Sequence, residues 1–184
     1  MGCAVDFSGL TLSYACGTVS SGGLKTIILA DLAQLKEDGD VTIAAGGAVT
    51  IGGTGLVTSG VDILTLGFNN KDAFSNFTDV KTVNADGSAS VVPTIQVEFL
   101  RMDAAKRATL EKIATPGAEI AAFVETAAGT YHLVGYDFGL YAGTVDGASG
   151  ASRTDKNRYQ ITLIGEENVL AYTLDSTNWA KVTA

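Results

Sequence analysis

Hydrophobic and polar residues alternate most regularly at Pro93–Phe99, where Ile95, Val97 and Phe99 are separated by polar side chains. A period of two places these three side chains on one face of an extended chain. The pattern therefore predicts a strand that is buried on one face. Runs rich in Val, Ile and Tyr predict further strands at residues 25–30, 41–44, 49–51, 61–68, 120–125, 131–136, 159–164 and 170–174.

The period changes directly after the strand at Pro93–Phe99, over residues 102–114. Asp103 is a residue type that caps helices well, and Leu110 and Ile113 recur at a helical spacing. The Pro-Gly pair that follows stops a helix. One flanking helix is predicted here, whereas residues 31–38 fit either a short helical turn or a continuation of the strand before them.

Glycine-rich breaks separate the many short strands, which is typical of a sandwich or barrel of antiparallel strands. We expect a mainly β (α+β) fold in a single domain over residues 1–184, because one domain has about 150 residues. Two polar segments resist assignment. Residues 69–90 fit an extended hairpin or a loop, and residues 143–157 fit a long loop, a feature that is usually functional or mobile.

Composition and charge narrow the functional classes. The chain is 46% hydrophobic and 17% charged, so it can fill a core and differs from disordered chains. Twelve basic against 20 acidic residues give a net charge of −8, which disfavours a nucleic-acid clamp because such a clamp needs clustered cations. We expect no membrane anchor, because the apolar runs are far shorter than the roughly 20 residues that cross a bilayer.

The sequence offers no recognisable constellation for catalysis or metal binding. His132 is the only histidine and lies inside a predicted strand, which favours a packed or surface role. Cys3 and Cys16, the only cysteines, cannot complete a four-ligand zinc site with one histidine. A disulfide between them stays open, although free thiols are the commoner state. The segment at residues 53–60 lacks the Gly-Lys-Ser/Thr ending of a phosphate loop. We therefore expect no enzyme activity, no cofactor and no metal.

Many strands imply strand edges that must be covered. Unpaired edges promote aggregation, whereas pairing between subunits turns the same edges into assembly contacts. Self-assembly is therefore the leading physical inference from the residues.

Three stretches carry a family resemblance. Gly22–Leu32 contains a double glycine, an apolar run and an Ala-Asp-Leu triplet. Tyr131–Gly139 has the form of a glycine–tyrosine hairpin, and Asp155–Glu167 ends in a strand followed by Gly-Glu-Glu. Together they resemble the phage major tail tube proteins of the divergent family found in tailed phages of Bacteroidetes-like hosts. Arg158 stands where that family has glycine.

The resemblance implies stacked hexameric rings that form the tail tube, a conduit for DNA ejection. Implied partners are further copies of the chain, other phage tail proteins, and double-stranded DNA that passes through the lumen without specific binding. The implied location is the virion tail, after synthesis in the host cytoplasm. An acidic chain suits such a channel, because a wall of like charge keeps DNA from adhering.

We hypothesise that the two polar segments, residues 69–90 and 143–157, make contacts between rings. The candidate inter-subunit residues are Asn69, Asn70, Lys71, Asp72, Asp86, Gly87, Asp146, Ser149, Arg153, Asp155, Lys156 and Asn157.

Two alternatives stay open. A capsid decoration or head–tail connector protein would share the β-rich composition without forming open-ended tubes. A host-surface or carbohydrate-binding module would need exposed aromatic residues clustered in one loop. Tyr131, Tyr136, Phe138 and Tyr141 instead fall in or beside predicted strands, which favours packing of their rings.

Overall fold

The structure, a computed structural model, describes residues 22–38, 40–66, 75–152 and 155–184. These residues form a mainly β chain with short helices, which confirms the predicted α+β class. The strands are β1 (Leu24–Asp31), β2 (Val41–Ile43), β3 (Ala48–Ile51), β4 (Ile63–Leu66), β5 (Asn76–Val83), β6 (Ala89–Leu100), β7 (Ile120–Thr126), β8 (Tyr131–Val134), β9 (Leu140–Ala148), β10 (Arg158–Gly165) and β11 (Tyr172–Leu174). The helices are α1 (Leu32–Glu37), α2 (Ala104–Ile113) and α3 (Ser176–Val182).

Each of these helices begins directly after an aspartate that caps it. The side chains of Asp31, Asp103 and Asp175 accept hydrogen bonds of 3.0, 2.8 and 2.7 Å from the backbone N–H three residues further on. Such a bond satisfies an N–H that has no partner inside the helix. None of the helices in the described part of the chain has the length and apolar character to cross a membrane.

The prediction of one helix over residues 102–114 is confirmed by α2, including its cap. Residues 32–37, for which the sequence pattern allows either helix or strand, form α1. The expectation of a single helix is wrong, because α1 and α3 are also helical. They have 6 and 7 residues, too few to display a clear helical period in the sequence.

β7 lies at the centre of one continuous sheet. One edge of β7 pairs with β1, and the other pairs with β8 and, through Ile120 and Leu140, with β9. From β8 the sheet continues through β11 and β3 to β2, and from β9 it continues through β10 and β6 to β5. β4 extends the sheet beyond β1. These pairs are antiparallel except β3 with β11, and the described strands form an open sheet rather than a closed barrel.

The sheet has two arms, one that continues from β8 and one that continues from β9, and residues of both contribute to a first hydrophobic core. We call β5, β6, β9 and β10 the four-stranded layer, and the other strands the main layer. Val97 and Ile161 of the four-stranded layer pack in one buried cluster with Val124 of the main layer and with α2. On the opposite face of β7, Ala121 and Phe123 belong to a second core with residues from α1 and α3. β7 is buried on both faces, which explains its continuous apolar sequence.

Both predicted loops are shorter than expected. Residues 76–83 and 89–90 belong to β5 and β6, so the first segment takes the hairpin alternative, with a turn at residues 84–88. Residues 143–148 belong to β9, which leaves a connection only at residues 149–157. The loop prediction fails at these positions because glycine and aspartate have weak strand propensity, and pairing with β10 overrides it.

The two arms meet at a corner, residues 135–139, between β8 and β9. Gly135 and Gly139 there have φ angles of +75° and +89°, which residues with a side chain rarely adopt. A Cβ atom on Gly135 would lie 2.5 Å from Leu140 Cγ and 3.0 Å from the carbonyl oxygen of Ile120. Glycine at position 135 therefore permits both the turn and the close approach of the two arms.

The substitution Gly135→Ala tests the corner, with Gly129→Ala as the matched control. Gly129 has a φ of +79°, but nothing lies within 4 Å of the position that a Cβ atom would take there. We expect Gly129→Ala to lower the free energy of unfolding by roughly 1–2 kcal/mol, the cost of the left-handed backbone. Gly135→Ala should cost roughly 1–3 kcal/mol more, because it adds overpacking. Urea denaturation measures both values, and equal losses would contradict the proposed role of the corner.

Candidate assembly surface

Six of the seven predicted inter-subunit residues within the described ranges lie at opposite ends of the four-stranded layer. β6 spans the layer from Ala89 to Leu100, roughly 35 Å at about 3.3 Å per residue. The turn that contains Asp86 and Gly87 lies at one end, and the connection at residues 149–157 lies at the other. The structure thus separates the two predicted groups instead of joining them in one site.

The remaining candidates divide into two groups. Asp146 is not in a loop, because it lies within β9 and pairs with Gln160 of β10. Five candidate residues fall outside the described residues: Asn69, Asn70, Lys71, Asp72 and Arg153.

The turn at residues 84–88 is held by its own hydrogen bonds. Asp86 Oδ1 accepts bonds of 2.9 Å from the Ser88 N–H and 2.7 Å from the Ser88 hydroxyl. These bonds lower the pKa of the Asp86 carboxyl below its ordinary value. Gly87 has a φ of +85° and donates its N–H to the carbonyl oxygen of Asn84 at 3.0 Å. The tip of the hairpin is therefore an ordered, exposed projection.

In the connection between β9 and β10, the described residues 149–152 and 155–157 make polar contacts within the chain. Asp155 Oδ2 accepts hydrogen bonds of 2.8 Å from the N–H groups of Ala151 and Ser152, and these bonds lower the pKa of its carboxyl. Asn157 Oδ1 accepts a bond of 2.8 Å from the N–H of Met102. Asn157 thereby ties this end of the layer to the segment that leads into α2.

Glu98 is the most deeply buried charged side chain in the four-stranded layer, with 1% of its surface exposed. Its carboxylate accepts bonds of 3.1 Å from Lys156 Nζ and 3.0 Å from Arg158 Nη1. A buried carboxylate needs such partners, because removing it from water alone is very costly. The sequence pattern does not reveal this cluster. Glu98 occupies one of the polar positions of an alternating strand, so the pattern predicts an exposed side chain there.

Uncharged polar side chains cover the middle of the outer face of the four-stranded layer. The strand register places Asn76, Gln96, Thr162 and Thr144 in one row across β5, β6, β10 and β9. Asn76 Nδ2 donates to Gln96 Oε1 at 3.3 Å. The alternation in β10 predicts that Gln160 and Thr162 face solvent or a neighbouring subunit, and both are only partly buried.

β5 is an edge strand within the described residues, because it pairs with β6 alone. Its second edge therefore presents backbone N–H and C=O groups without a strand partner there. Val80 and Val83 add exposed apolar surface, with 55% and 70% of each residue accessible. A long edge strand with exposed valines is a typical site of pairing with another chain.

Two of the four aromatic residues that were predicted to pack do so. Tyr131 stacks on Trp179 with ring centroids 4.9 Å apart, and Tyr136 meets Tyr172 edge-on at 6.3 Å. The prediction is wrong for the other two, because Phe138 and Tyr141 are 59% and 54% exposed. Both rings line a surface cleft of about 380 Å³ at the corner.

A buried carboxylate holds the corner in place. Glu167 accepts hydrogen bonds from the N–H groups of Asp137 at 3.2 Å and Phe138 at 3.3 Å. Burial raises the pKa of the Glu167 carboxyl above its ordinary value. The Tyr172 hydroxyl donates to the Asp137 carboxylate at 3.0 Å, and burial together with this bond raises the pKa of Tyr172 to about 12.

The residues considered for catalysis, phosphate binding or metal binding lie in structural positions where they are described. His132 is half-buried in β8, where burial lowers its pKa, and its ring centroid lies 6.0 Å from that of Phe77. Residues 53–60 form turns that bury Leu56, and a strand rather than a helix follows them. Within the described ranges, no three His, Cys, Asp or Glu residues group closely enough to hold a metal ion. Cys3 and Cys16 lie outside those ranges.

No protein-family model, curated protein or solved structure matches this chain.

The substitution Glu98→Gln tests whether the buried ion cluster holds the end of the layer that carries residues 149–157. Loss of the charge leaves Lys156 and Arg158 facing a neutral group in a partly buried site, and we expect a loss of about 3 kcal/mol in the free energy of unfolding. The control is Glu111→Gln, which breaks an exposed pair with Arg107 and should cost at most about 0.5 kcal/mol. Equal effects in urea denaturation would rule out a special role for Glu98.

Proposed function

We propose that this chain is a structural virion protein that assembles into stacked rings and forms a phage tail tube. The observation that carries the proposal is the four-stranded layer, which has an ordered projection at each end and an edge strand at its side. Contacts at the two ends suit stacking of copies along an axis. Contacts at the edge of β5 suit pairing between neighbours within a ring.

Ring formation requires a contact that joins two different surfaces of the same protein. Such head-to-tail contacts close into rings when the rotation between copies is a simple fraction of a turn. The open sheet supports this geometry, because its described path ends in two different strands, β2 and β5. The resemblance of Gly22–Leu32, Tyr131–Gly139 and Asp155–Glu167 to tail tube proteins supports the same function.

In this role the chain is structural and not catalytic. DNA would pass along the axis without specific binding, and the net charge of −8 supports this by repelling the phosphate backbone. Other tail proteins would cover the last ring at each end of the tube. A capsid decoration or head–tail connector protein is the second candidate, and it differs in forming no extended tube.

Electron microscopy of the purified chain in negative stain tests the proposal. We expect rings and tubes of constant diameter, because every copy presents the same two ends and the same edge. Rings that never stack would favour the connector or decoration function instead. Single dispersed molecules at all protein concentrations would contradict self-assembly altogether.

A shortened hairpin tests the contact between rings. Thr82 pairs with Ser90 and Val83 with Ala89, so removal of these four residues shortens the hairpin by two cross-strand pairs and keeps the turn at residues 84–88. We expect single rings without long tubes, because the projection no longer reaches the next ring. Replacement of Thr82 and Ser90 by alanine keeps the length and serves as control. Tubes of normal length from the shortened chain would disprove this contact.

A further inference from the structure

An exposed apolar patch lies on the outer face of the four-stranded layer, beside the corner. Residues directly opposite one another in a sheet project from the same face. Tyr141 pairs with Ile164, Ile164 pairs with Thr94, and Val92, two residues from Thr94, pairs with Val80. These side chains therefore share one face, and Phe138 borders them across the cleft that it lines with Tyr141. We call Phe138, Tyr141, Ile164, Val92 and Val80 the aromatic–valine patch.

The patch is unusual in its exposure. Phe138, Tyr141 and Val80 are each more than half exposed, and Val92 is 37% exposed. A contiguous exposed group of this kind marks a binding surface more often than a single exposed residue does. Four members of the patch lie on the four neighbouring strands β9, β10, β6 and β5, and Phe138 lies on the corner that precedes β9.

The backbones of the two aromatic residues are held in place by contacts within the chain. The N–H of Phe138 donates to Glu167, whose backbone pairs in turn with Val91 at the base of the hairpin. Tyr141 belongs to β9 and is held by its register with β10. Rigid aromatic side chains lose little conformational entropy on binding, so they serve well as anchors of an interface.

The charges around the patch limit which class of partner can bind it. The cleft between Phe138 and Tyr141 is lined by Glu166 and Glu167 and by no lysine or arginine of the described residues. An acidic rim disfavours nucleic acid and anionic lipid. Two copies of a chain with a net charge of −8 repel each other, and they approach best where the surface carries no charge. The centre of the patch is such a place.

We propose that the aromatic–valine patch is the surface on which a second copy of this chain docks. This inference rests on the self-assembly proposed above and names the residues that anchor it. The patch extends across the layer from Tyr141 on β9 to Val80 on β5, so one docked copy can cover both the patch and the open edge of β5. Apolar burial then supplies the attraction, while the charges of both copies oppose it.

The size of the patch fits the centre of an interface rather than the whole. An aromatic side chain buries about 150–250 Å² when fully covered, so two half-exposed rings offer roughly 100 Å² each. A standard interface buries about 800 Å² on each partner. The rest of the contact must come from the surrounding polar rows and from the edge of β5.

The test compares Phe138→Ser and Tyr141→Thr with the control Val57→Ser. Val57 is 47% exposed and lies outside the patch. Sedimentation velocity over a concentration series gives the association constant of each chain, and urea denaturation checks that all variants stay folded. We expect each patch variant to weaken association about tenfold or more, and the control to leave it unchanged.

Salt provides an independent readout. Raising the salt from about 0.1 M to about 1 M shortens the screening length from about 10 Å to about 3 Å. We expect tighter association of the unsubstituted chain at high salt, because screening removes the repulsion and leaves apolar burial intact. Weaker association at high salt would point to an interface of opposite charges and would overturn the proposal.

The remaining outcomes separate this inference from the proposed function. If the unsubstituted chain assembles and both patch variants assemble equally well, the patch is not the docking surface, whereas self-assembly stands. If the unsubstituted chain stays monomeric, self-assembly itself fails.

A titration with cellobiose, followed by NMR, tests whether the patch binds a saccharide instead of a second copy. Saturable shifts at Phe138 and Tyr141 would assign the patch to saccharide binding and overturn docking of a second copy.

Discussion

The complete burial of β7 is the constraint on which the rest of the structure depends. Its backbone pairs on both edges, and its side chains enter a different core on each face. An apolar strand in this position satisfies its polar backbone groups through neighbouring strands, because no water reaches them. The register of β1 and β8 follows from this pairing. The contact between Ile120 and Leu140 then fixes where the four-stranded layer departs from the main layer.

The corner connects the strands around β7 to the exposed outer face of the four-stranded layer. Gly135 and Gly139 allow the chain to turn, and Glu167 satisfies the N–H groups that the turn leaves without partners. A buried carboxylate is costly, but several backbone donors stabilise it and make the turn rigid. Phe138, whose N–H is one of these groups, lies on this corner with its ring largely exposed.

The four-stranded layer combines a conventional inner face with an outer face of unusual composition. The inner face packs Ile95, Val97 and Leu163 in the first core. The outer face carries neutral polar rows in its middle, the paired Glu98 cluster toward one end and the aromatic–valine patch toward the other. Such segregation of charge, polarity and apolar surface gives the layer a direction. A directional layer is what head-to-tail assembly of an acidic chain requires.

The sequence by itself determined the features that depend on near neighbours in the chain. The period of two at Pro93–Phe99 predicted the central part of β6, and Asp103 with its helical spacing predicted α2, because each side chain reports on residues only a few positions away. The mainly β class followed from the same local patterns.

The tertiary structure decided the features that depend on distant residues. Residues 143–148 form a strand because β10 pairs with them, and Glu98 is buried because Lys156 and Arg158, 58 and 60 positions later, reach its carboxylate. The backbone of Phe138 is held in the corner by Glu167, 29 positions later. The alternation of residue types cannot encode these pairings, since burial and exposure are set by whichever segment packs alongside. Local periodicity thus specified the elements, and long-range contacts specified the surface.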